Sequence, residues 1–245
     1  MKSLISDFDG TLFFNDEKPN VRIKDVKKIH QFQKDSLFGL CTGRPLKGVS
    51  DLKKFDLQCD FYIVTSGALI VDKNFEIIYE KTMSHELIQT LIEETKGFHR
   101  TIQAKEHVYP IDEPLPYPME QVVVTSTKEV EEPILGLSIM AETDDLAYDL
   151  VKRLNATYEI TALQNQNCVD IVPKGCSKGN AVQYIKSHLN LQHVATIGDS
   201  YNDIDMLEKA DDSFTFFDSP KPVQKVSKHL VSNIGQAIDI LQRPE

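Results

Sequence analysis

Two acidic residues lie two positions apart near the start of the chain, in the segment DFDGTL at 7–12. The apolar residues around them predict a β-strand over 2–8. Residues two apart in an extended backbone project to the same side, so we expect Asp7 and Asp9 to direct their carboxylates to one region. Gly10 then permits a sharp turn away from the strand. Because an ordinary Asp-Gly turn uses the same residue types, this segment alone leaves a turn and a reactive site both open.

A second acidic group follows a later apolar strand, predicted over 193–198. Asp199 comes directly after this strand and Asp203 begins the next helix. Ligands of open parallel sheets bind beyond the carboxyl ends of the strands, so we expect both acidic groups at one edge. Converging carboxylates repel one another unless a cation neutralises them, and oxygen ligands without neighbouring His or Cys favour Mg²⁺. Helix-capping aspartates explain one of these residues, but not the placement of both groups.

Groups suited to phosphate oxygens follow two further predicted strands, at 37–41 and 61–65. Hydroxyl and backbone N–H groups at such positions can bind an anion. The residues concerned are Thr42, Gly43, Arg44, Ser66 and Gly67. Lys178 opens a helix, where the helix dipole disfavours a cation. A solvated surface lysine is the simple interpretation, but contact with phosphate and carboxylates would explain the placement better.

Strands and helices alternate in the two outer parts of the chain. A helix over 21–34 separates the first two strands, and strands at 69–72 and 75–79 flank a predicted hairpin turn. The pattern returns after Pro173, with helices at 177–189 and 203–209 and strands at 193–198 and 213–217. This alternation predicts a parallel sheet covered by helices. We therefore expect one α/β core built from residues 1–80 and 173–245.

The segment 81–172 has a different pattern and predicts an inserted α+β domain. Ser84 and Thr143 are candidate helix N-caps. Strands are predicted over 120–126, 134–141, 157–163 and 168–172. The stretch 110–118 contains four prolines and predicts a loop. We expect substrate contacts from residues 107–119 and 164–168, without a ranking among them.

Composition excludes several classes of protein. The 245 residues are 41% apolar and 26% charged, and no apolar run is long enough to span a membrane. The net charge of −10 argues against a surface for nucleic acid. Four scattered cysteines and the absence of a signal-peptide pattern predict a cytoplasmic protein with reduced thiols. The seven histidines form no zinc motif, and we find no GxSxG, P-loop or GxGxxG pattern.

Together the motifs resemble the haloacid dehalogenase (HAD) superfamily, specifically its Cof-type phosphatases. DFDGTL at 7–12, Thr42, Lys178 and GDSYND at 198–203 are similar to the four motifs of that family, in the same order. The segment 81–172 falls where the family carries its C2 cap, and its mixture of helices and strands resembles the C2B variety. The resemblance implies a HAD-like Rossmannoid core with an inserted α+β cap that determines substrate specificity.

The resemblance also implies roles for individual residues. Asp7 would be the nucleophile and a metal ligand, and Asp9 the general acid and base, also binding metal through its backbone carbonyl. Thr42 and Lys178 would hold phosphoryl oxygens. Metal ligands would also include Asp199, with Asp203 as a further ligand or an outer partner. Supporting phosphate or substrate contacts would come from Gly43, Arg44, Ser66, Gly67 and Asn202. Ser66 departs from the Asn that many Cof-type members carry there.

The implied activity is Mg²⁺-dependent hydrolysis of small soluble phosphate monoesters, such as a sugar phosphate, a nucleotide or a phosphorylated cofactor. We expect a monomer or weak homo-oligomer with no nucleic-acid or membrane partner. Two alternatives stay open. A phosphosugar mutase of the phosphomannomutase type would need a second phosphate site in the cap, for which Arg153 with Lys152, or Arg100 with Lys105, are candidates. A non-catalytic binding module on the HAD scaffold is the other.

Overall fold

The computed structural model describes residues 1–115 and 121–243. The first part of the chain forms β1 (Lys2–Ser6), α1 (Ile23–Phe32), β2 (Leu37–Cys41), β3 (Phe61–Val64), β4 (Leu69–Asp72) and β5 (Ile77–Glu80). The middle part forms α2 (His85–Glu94), β6 (His99–Ala104), β7 (Val108–Pro110), β8 (Ile134–Met140), α3 (Asp144–Thr157), β9 (Ile160–Asn165) and β10 (Cys168–Pro173). The last part forms α4 (Lys178–His188), β11 (His193–Ile197), α5 (Ile204–Lys209), β12 (Asp212–Phe216), α6 (Lys221–Val226), β13 (His229–Val231) and α7 (Ile234–Leu241).

An eight-stranded sheet unites the first and last parts of the chain, in the order β13-β12-β11-β1-β2-β3-β4-β5. The strands from β13 to β3 are parallel, and β4 and β5 continue the sheet in antiparallel pairing. This is the predicted α/β core. Because β11, β1, β2 and β3 are neighbours, the loops that follow their carboxyl ends lie side by side.

Both faces of the central strands are buried, as expected for a parallel sheet covered by helices. Leu4 of β1 belongs to the apolar cluster under α1 and α7, whereas its neighbour Ile5 belongs to the cluster under α4. In β2, Leu40 and Cys41 divide in the same way. Packing on both faces thus fixes the direction of each strand and the position of the loop that follows it.

A separate five-stranded antiparallel sheet lies in the middle part of the chain, in the order β7-β6-β8-β10-β9. Ser84 and Thr143 cap α2 and α3 through their side chains, as predicted. Residues between 83 and 171 form an apolar cluster of their own. Leu163 instead packs against the cluster of the parallel sheet, so β9 faces the core. The boundaries 1–80, 81–172 and 173–245 stay a prediction.

The predicted strand over 120–126 is wrong for its described residues, 121–126. Only Val124 pairs with another strand region, through a single bridge to Ile111. Val122 and Val123 are exposed, so their β-branched side chains had strand propensity but no sheet to pack on. Strand β9 also begins later than predicted, because α3 extends to Thr157. From residue 116 onward, the predicted loop 110–118 and contact segment 107–119 lie outside the described residues.

Two strands of the smaller sheet, β6 and β7, were not predicted. Strand β6 buries polar side chains at Arg100, Thr101 and Gln103, so its sequence lacks an apolar run.

In the part of the chain that the structure describes, no helix combines the length and apolar character that crossing a bilayer requires. The four cysteines are free thiols.

Candidate active site

The predicted site residues lie at one edge of the parallel sheet. Asp7 follows β1, Thr42 follows β2, and Asp199 follows β11 after one intervening glycine. The backbone N–H groups of Asp7 and Thr42 continue the ladders, donating to Ile197 and Ile63 of the neighbouring strands at 2.9 Å each. The sheet register therefore holds these side chains side by side.

Lys178 joins two acidic residues at this edge. Its Nζ donates to Oδ1 of Asp7 at 2.5 Å and to Oδ1 of Asp203 at 2.7 Å. All three side chains are almost fully buried. Ser177 caps the helix by accepting from Asn180, which fixes the first turn from which Lys178 projects. The lysine at this helix start is therefore buried between carboxylates and is not a solvated surface charge.

The charges in this cluster are not balanced. Burial and the neighbouring Asp203 raise the pKa of Asp7 well above its ordinary value, and Lys178 offsets this only in part. Burial opposes the charge on Lys178, yet Asp203 and Asp7 raise the pKa of its ammonium group. Burial, with a contribution from Asp203, raises the pKa of Asp199 to about 6. One cation beside three acids leaves an excess of negative charge.

The excess charge and the ligand types fit a hard divalent cation. Asp7, Asp199 and Asp203 each offer a carboxylate oxygen, and these oxygens lie within 4.8 Å of one another. Both oxygens of Asp203 already accept hydrogen bonds, Oδ1 from Lys178 and Oδ2 from the N–H groups of Asp199 and Ser200 at 3.0 Å. Asp7 and Asp199 thus have the freer oxygens, and Asp203 holds the loop around them.

Asp9 is not part of this carboxylate cluster. Its two oxygens accept hydrogen bonds from Arg44, from Nε at 2.7 Å and from Nη2 at 2.6 Å. The Arg44 guanidinium also lies 5.0 Å above the Phe8 ring, which helps to fix it. The sequence predicted both residues near the phosphate but not this pairing. A carboxylate with both oxygens bonded to a guanidinium is not available to a substrate, so Asp9 must leave Arg44 before it can contact one.

The loops after β2 and β3 bind each other. Ser66 donates its N–H to the carbonyl of Thr42 at 3.0 Å, and Thr65 donates to the carbonyl of Arg44 at 2.9 Å. Thr42 Oγ1 accepts from the Arg44 N–H at 3.1 Å. Gly67 packs against the start of α4, beside the carbonyl of Ser177. The structure thus brings the predicted phosphate contacts together, with Thr42 and Ser66 both buried.

A pocket of about 160 Å³ opens beside Lys178, between the two sheets. Its lining from the parallel-sheet side is Ser66, Ser177, Lys178, Tyr201, Asn202 and Asp205. Its lining from the smaller sheet is Leu163, Gln164, Asn165 and Asp170. Gln164 and Asn165 both fall within the predicted contact segment 164–168. Asp170 was missed, although a single acid in the apolar run 168–173 was a usable signal.

Asp170 reaches the site from β10. Ser138 donates its hydroxyl to Oδ1 of Asp170 at 2.5 Å, and Gln103 in turn donates to the Ser138 oxygen. Burial raises the pKa of Asp170, while the Ser138 hydroxyl and the nearby Lys178 lower it. A side chain from the smaller sheet therefore contributes a fixed carboxylate to this pocket.

Gly10 gives a stability test of the acidic loop. Its φ is +83°, and a Cβ placed there would lie 2.6 Å from Asp199 Oδ2. We expect Gly10→Ala to combine backbone strain with displacement of Asp199, lowering the free energy of unfolding by roughly 2–4 kcal/mol. Gly175→Ala is the matched control, because Gly175 has φ +82° but open space around it. Equal losses in the two variants, measured by denaturant unfolding, would contradict the close contact with Asp199.

Comparison with known proteins identifies the family. A phosphoglycolate phosphatase of Sulfurisphaera tokodaii is 28% identical, over 85% of this chain and 77% of the relative. A haloacid dehalogenase-like hydrolase from B. subtilis superimposes with a TM-score of 0.85 at 17% identity, covering 100% of both chains. A HAD subclass IIB sugar phosphatase superimposes with a TM-score of 0.81 at 18% identity, over 98% of this chain and 99% of the other. These structural likenesses show the fold.

The family model gives the assignment at the level of sequence. The model of the haloacid dehalogenase-like hydrolases matches residues 4–236, which include both acidic segments, Thr42 and Lys178. The chain therefore belongs to the haloacid dehalogenase-like hydrolases.

Proposed function

We propose that this protein is a Mg²⁺-dependent phosphatase of the Cof type that hydrolyses small soluble phosphate monoesters through a phosphoryl group carried on Asp7. The observation that supports this most directly is the buried Asp7 carboxylate, 2.5 Å from Lys178 and within 4.8 Å of the oxygens of Asp199 and Asp203. A carboxylate nucleophile divides hydrolysis into two easier displacements.

The residues present fit Mg²⁺, which prefers carboxylate oxygens and keeps several waters. Asp7, Asp199 and the backbone carbonyl of Asp9 would bind the ion directly, and Asp203 would support the site by fixing the Asp199 loop. When bound, Mg²⁺ would neutralise negative charge on the phosphoryl group and on the acids around it. Lys178 contributes a second positive charge from the protein side, which reduces the repulsion between Asp7 and an anionic substrate.

The acid-base steps fall to Asp9. In the first step an Asp7 oxygen bonds to phosphorus, the bond to the leaving oxygen breaks, and Asp9 donates a proton to that oxygen. In the second step Asp9 accepts a proton from water as the water oxygen bonds to phosphorus and Asp7 is released. Such help contributes about 10²–10⁴-fold to a rate. Because both Asp9 oxygens accept hydrogen bonds from Arg44, Asp9 must rotate away from Arg44 before it can reach the leaving oxygen or the water.

The phosphoryl oxygens would be held by Thr42, Lys178 and the backbone N–H of Gly43, with Asn202 and the Ser66-Gly67 turn at the pocket wall. The predicted cap, 81–172, would supply the other wall and select the leaving group. A pocket of about 160 Å³ suits a small metabolite. A sugar phosphatase among the similar proteins acts on a ligand of this class.

The mutase alternative has less support. Its candidate cap cations serve the cap itself, since Arg153 pairs with Glu94 and Arg100 with Asp112. The described residues that line the pocket from the cap include no Lys or Arg. A bisphosphate would therefore lack a second anion site there. The assembled nucleophile, lysine and acid cluster likewise favour an enzyme over a non-catalytic binding module.

We further propose a cytoplasmic protein that works as a monomer or weak homo-oligomer, without nucleic-acid or membrane partners. The net charge of −10 would repel a nucleic-acid backbone. The four free thiols are typical of a reducing compartment.

The test is phosphate release from a panel of phosphate monoesters with Mg²⁺ and after metal removal with EDTA. We expect release with Mg²⁺, a loss of at least about 10²-fold with EDTA, and recovery when excess Mg²⁺ is restored. Mg²⁺ should also raise the melting temperature of the protein without substrate, because it offsets repulsion among the three acids. Equal phosphate release in both conditions would exclude the metal from the reaction.

A further inference from the structure

The cap wall of the pocket is polar but carries no positive charge among the described lining residues. Leu163, Gln164, Asn165 and Asp170 form this wall. Amide groups can donate and accept hydrogen bonds, whereas an ionised carboxylate only accepts them. The wall that faces the leaving group thus offers hydrogen bonding together with a negative charge.

The Asp170 carboxylate has one oxygen engaged and one left for a ligand. Ser138 donates its hydroxyl to Oδ1, and the side-chain amide of Gln103 donates to the Ser138 oxygen. The described residues give Oδ2 no hydrogen-bond donor, and it approaches the core loop so closely that a Cβ on Gly43 would lie 3.0 Å from it. Glycine at position 43 leaves room for this approach. The free oxygen therefore lies beside the loop that would hold phosphate, where the first atoms of a leaving group would be.

Two consequences follow from a fixed carboxylate in this position. A hydroxyl group on the leaving group can donate to Oδ2, which gives a charge-assisted hydrogen bond in a pocket whose lining is mostly half-buried. A second anionic group on the leaving group would instead meet a like charge at close range. The same side chain therefore selects for hydroxyl groups and against carboxylates or additional phosphates.

We propose that Asp170 is a specificity-determining residue that accepts a hydrogen bond from an uncharged, hydroxyl-bearing leaving group and excludes leaving groups with a second negative charge. The substrate class is thus a monophosphate ester of a polyol or sugar. The inference rests on the proposed phosphatase function and narrows it. Asp170 takes no part in the phosphoryl transfer itself, and Ser138 positions it.

The test compares three probes that differ in the leaving group. Glucose 6-phosphate carries hydroxyl groups and no further charge, 6-phosphogluconate adds a carboxylate to a similar carbon chain, and phenyl phosphate has neither. We expect the wild-type protein to have a higher kcat/KM for glucose 6-phosphate than for 6-phosphogluconate. Asp170→Asn should reduce this ratio roughly tenfold or more, because it removes the repulsion and weakens the hydroxyl contact. Its loss of kcat/KM should be greater with glucose 6-phosphate than with phenyl phosphate.

Asp149→Asn is the matched control, since Asp149 is an exposed residue of α3 in the same cap. It should keep the wild-type ratio. Asp170→Ser is a second variant that keeps a small polar group in case the amide does not fold. A wild-type preference for 6-phosphogluconate, or an unchanged ratio in both Asp170 variants, would overturn the proposal. An equal loss on all three probes would also overturn it, because Asp170 would then act through Lys178 or the cap and not through the leaving group.

A binding measurement separates this inference from the proposed function. Asp7→Asn should bind the two hexose-derived probes without turnover, and calorimetry on this background measures their affinities with and without Asp170→Asn. Tighter binding of glucose 6-phosphate than of 6-phosphogluconate, lost with Asp170→Asn, supports the role of Asp170 even if the wild-type protein releases no phosphate. Phosphate release combined with equal affinities in both backgrounds would leave the phosphatase standing and overturn the specificity role.

Discussion

Asp7→Asn is expected to lower phosphate release by roughly 10³-fold or more, because the amide cannot attack phosphorus and be regenerated by water. The substitution keeps the size of the side chain and an oxygen that can accept from Lys178. It also removes one of three crowded acids. We therefore expect the free energy of unfolding to stay the same or rise, since burial and Asp203 already raise the pKa of Asp7 and disfavour its charge. Steady-state phosphate release and denaturant unfolding provide the two measurements.

The control for this variant is Asp16→Asn, because Asp16 is an exposed aspartate between β1 and α1. It should leave both quantities unchanged. Rapid acid quenching during turnover gives an independent measurement, because the wild-type peptide that contains Asp7 should carry a phosphoryl group and the variant peptide should not. Turnover by Asp7→Asn close to the wild-type rate, or a phosphoryl group on another residue, would remove Asp7 as the nucleophile.

The positions of the residues that follow buried strands could be predicted from sequence because the parallel sheet fixes where each of these strands ends. Strands β1, β2 and β11 are parallel neighbours, so their carboxyl ends define one edge and bring Asp7, Thr42 and Asp199 to it. The periodicity of each strand and helix depends on local sequence. The convergence of their loops then follows from the rule that parallel strands place ligands beyond one edge.

Two features of the site depend on distant contacts that no local pattern contains. Arg44 pairs with Asp9 because the loops after β1 and β2 meet, so Asp9 would have to leave Arg44 before it could contact a substrate. Asp170 reaches the pocket because the cap packs over Gly43. Strand β6 was missed for a related reason, since buried polar residues such as Gln103 concealed a strand that packs beside the distant strand β8.

The predicted strand over 120–126 shows why propensity alone is insufficient. Its valines favour an extended backbone, but Val122 and Val123 are exposed in the structure and only Val124 is buried. A strand needs a neighbour to bond and a surface to pack on, and both come from the tertiary fold. Cap sequences are therefore harder to interpret than the core, where every central strand has helices on both faces.

Lys178→Met should be the most destabilising of these substitutions and should also abolish most of the activity. The lysine is buried between Asp7 and Asp203, at 2.5 and 2.7 Å, so its removal leaves buried carboxylates without their cation. Breaking a buried ion pair from one side typically costs about 3–5 kcal/mol of unfolding free energy. Methionine fills a similar volume, which keeps the loss of packing small. Urea unfolding without metal measures the change.

The pH dependence of this variant has a definite sign. Lys178 lowers the pKa of Asp7, so without it that pKa rises further above the value of the unfolded chain. A folded state that holds its proton more tightly is favoured at low pH and loses that advantage as pH rises through the folded pKa. The stability difference from the wild-type protein should therefore be smallest in mild acid and largest at neutral and higher pH. Mg²⁺ should recover part of it by supplying the missing positive charge.

Lys209→Met separates this effect from the loss of any lysine. Lys209 pairs with Asp205 at 2.6 Å, but both side chains are more than a third exposed and the pair lies along one helix. Such surface pairs contribute at most about 1 kcal/mol, so this control should shift the unfolding midpoint little and independently of Mg²⁺. A similarly small, pH-independent loss in Lys178→Met would mean that the buried acids do not need the lysine's charge. The inference that Lys178 balances the buried acids, on which the proposed metal site and nucleophile both depend, would then be wrong.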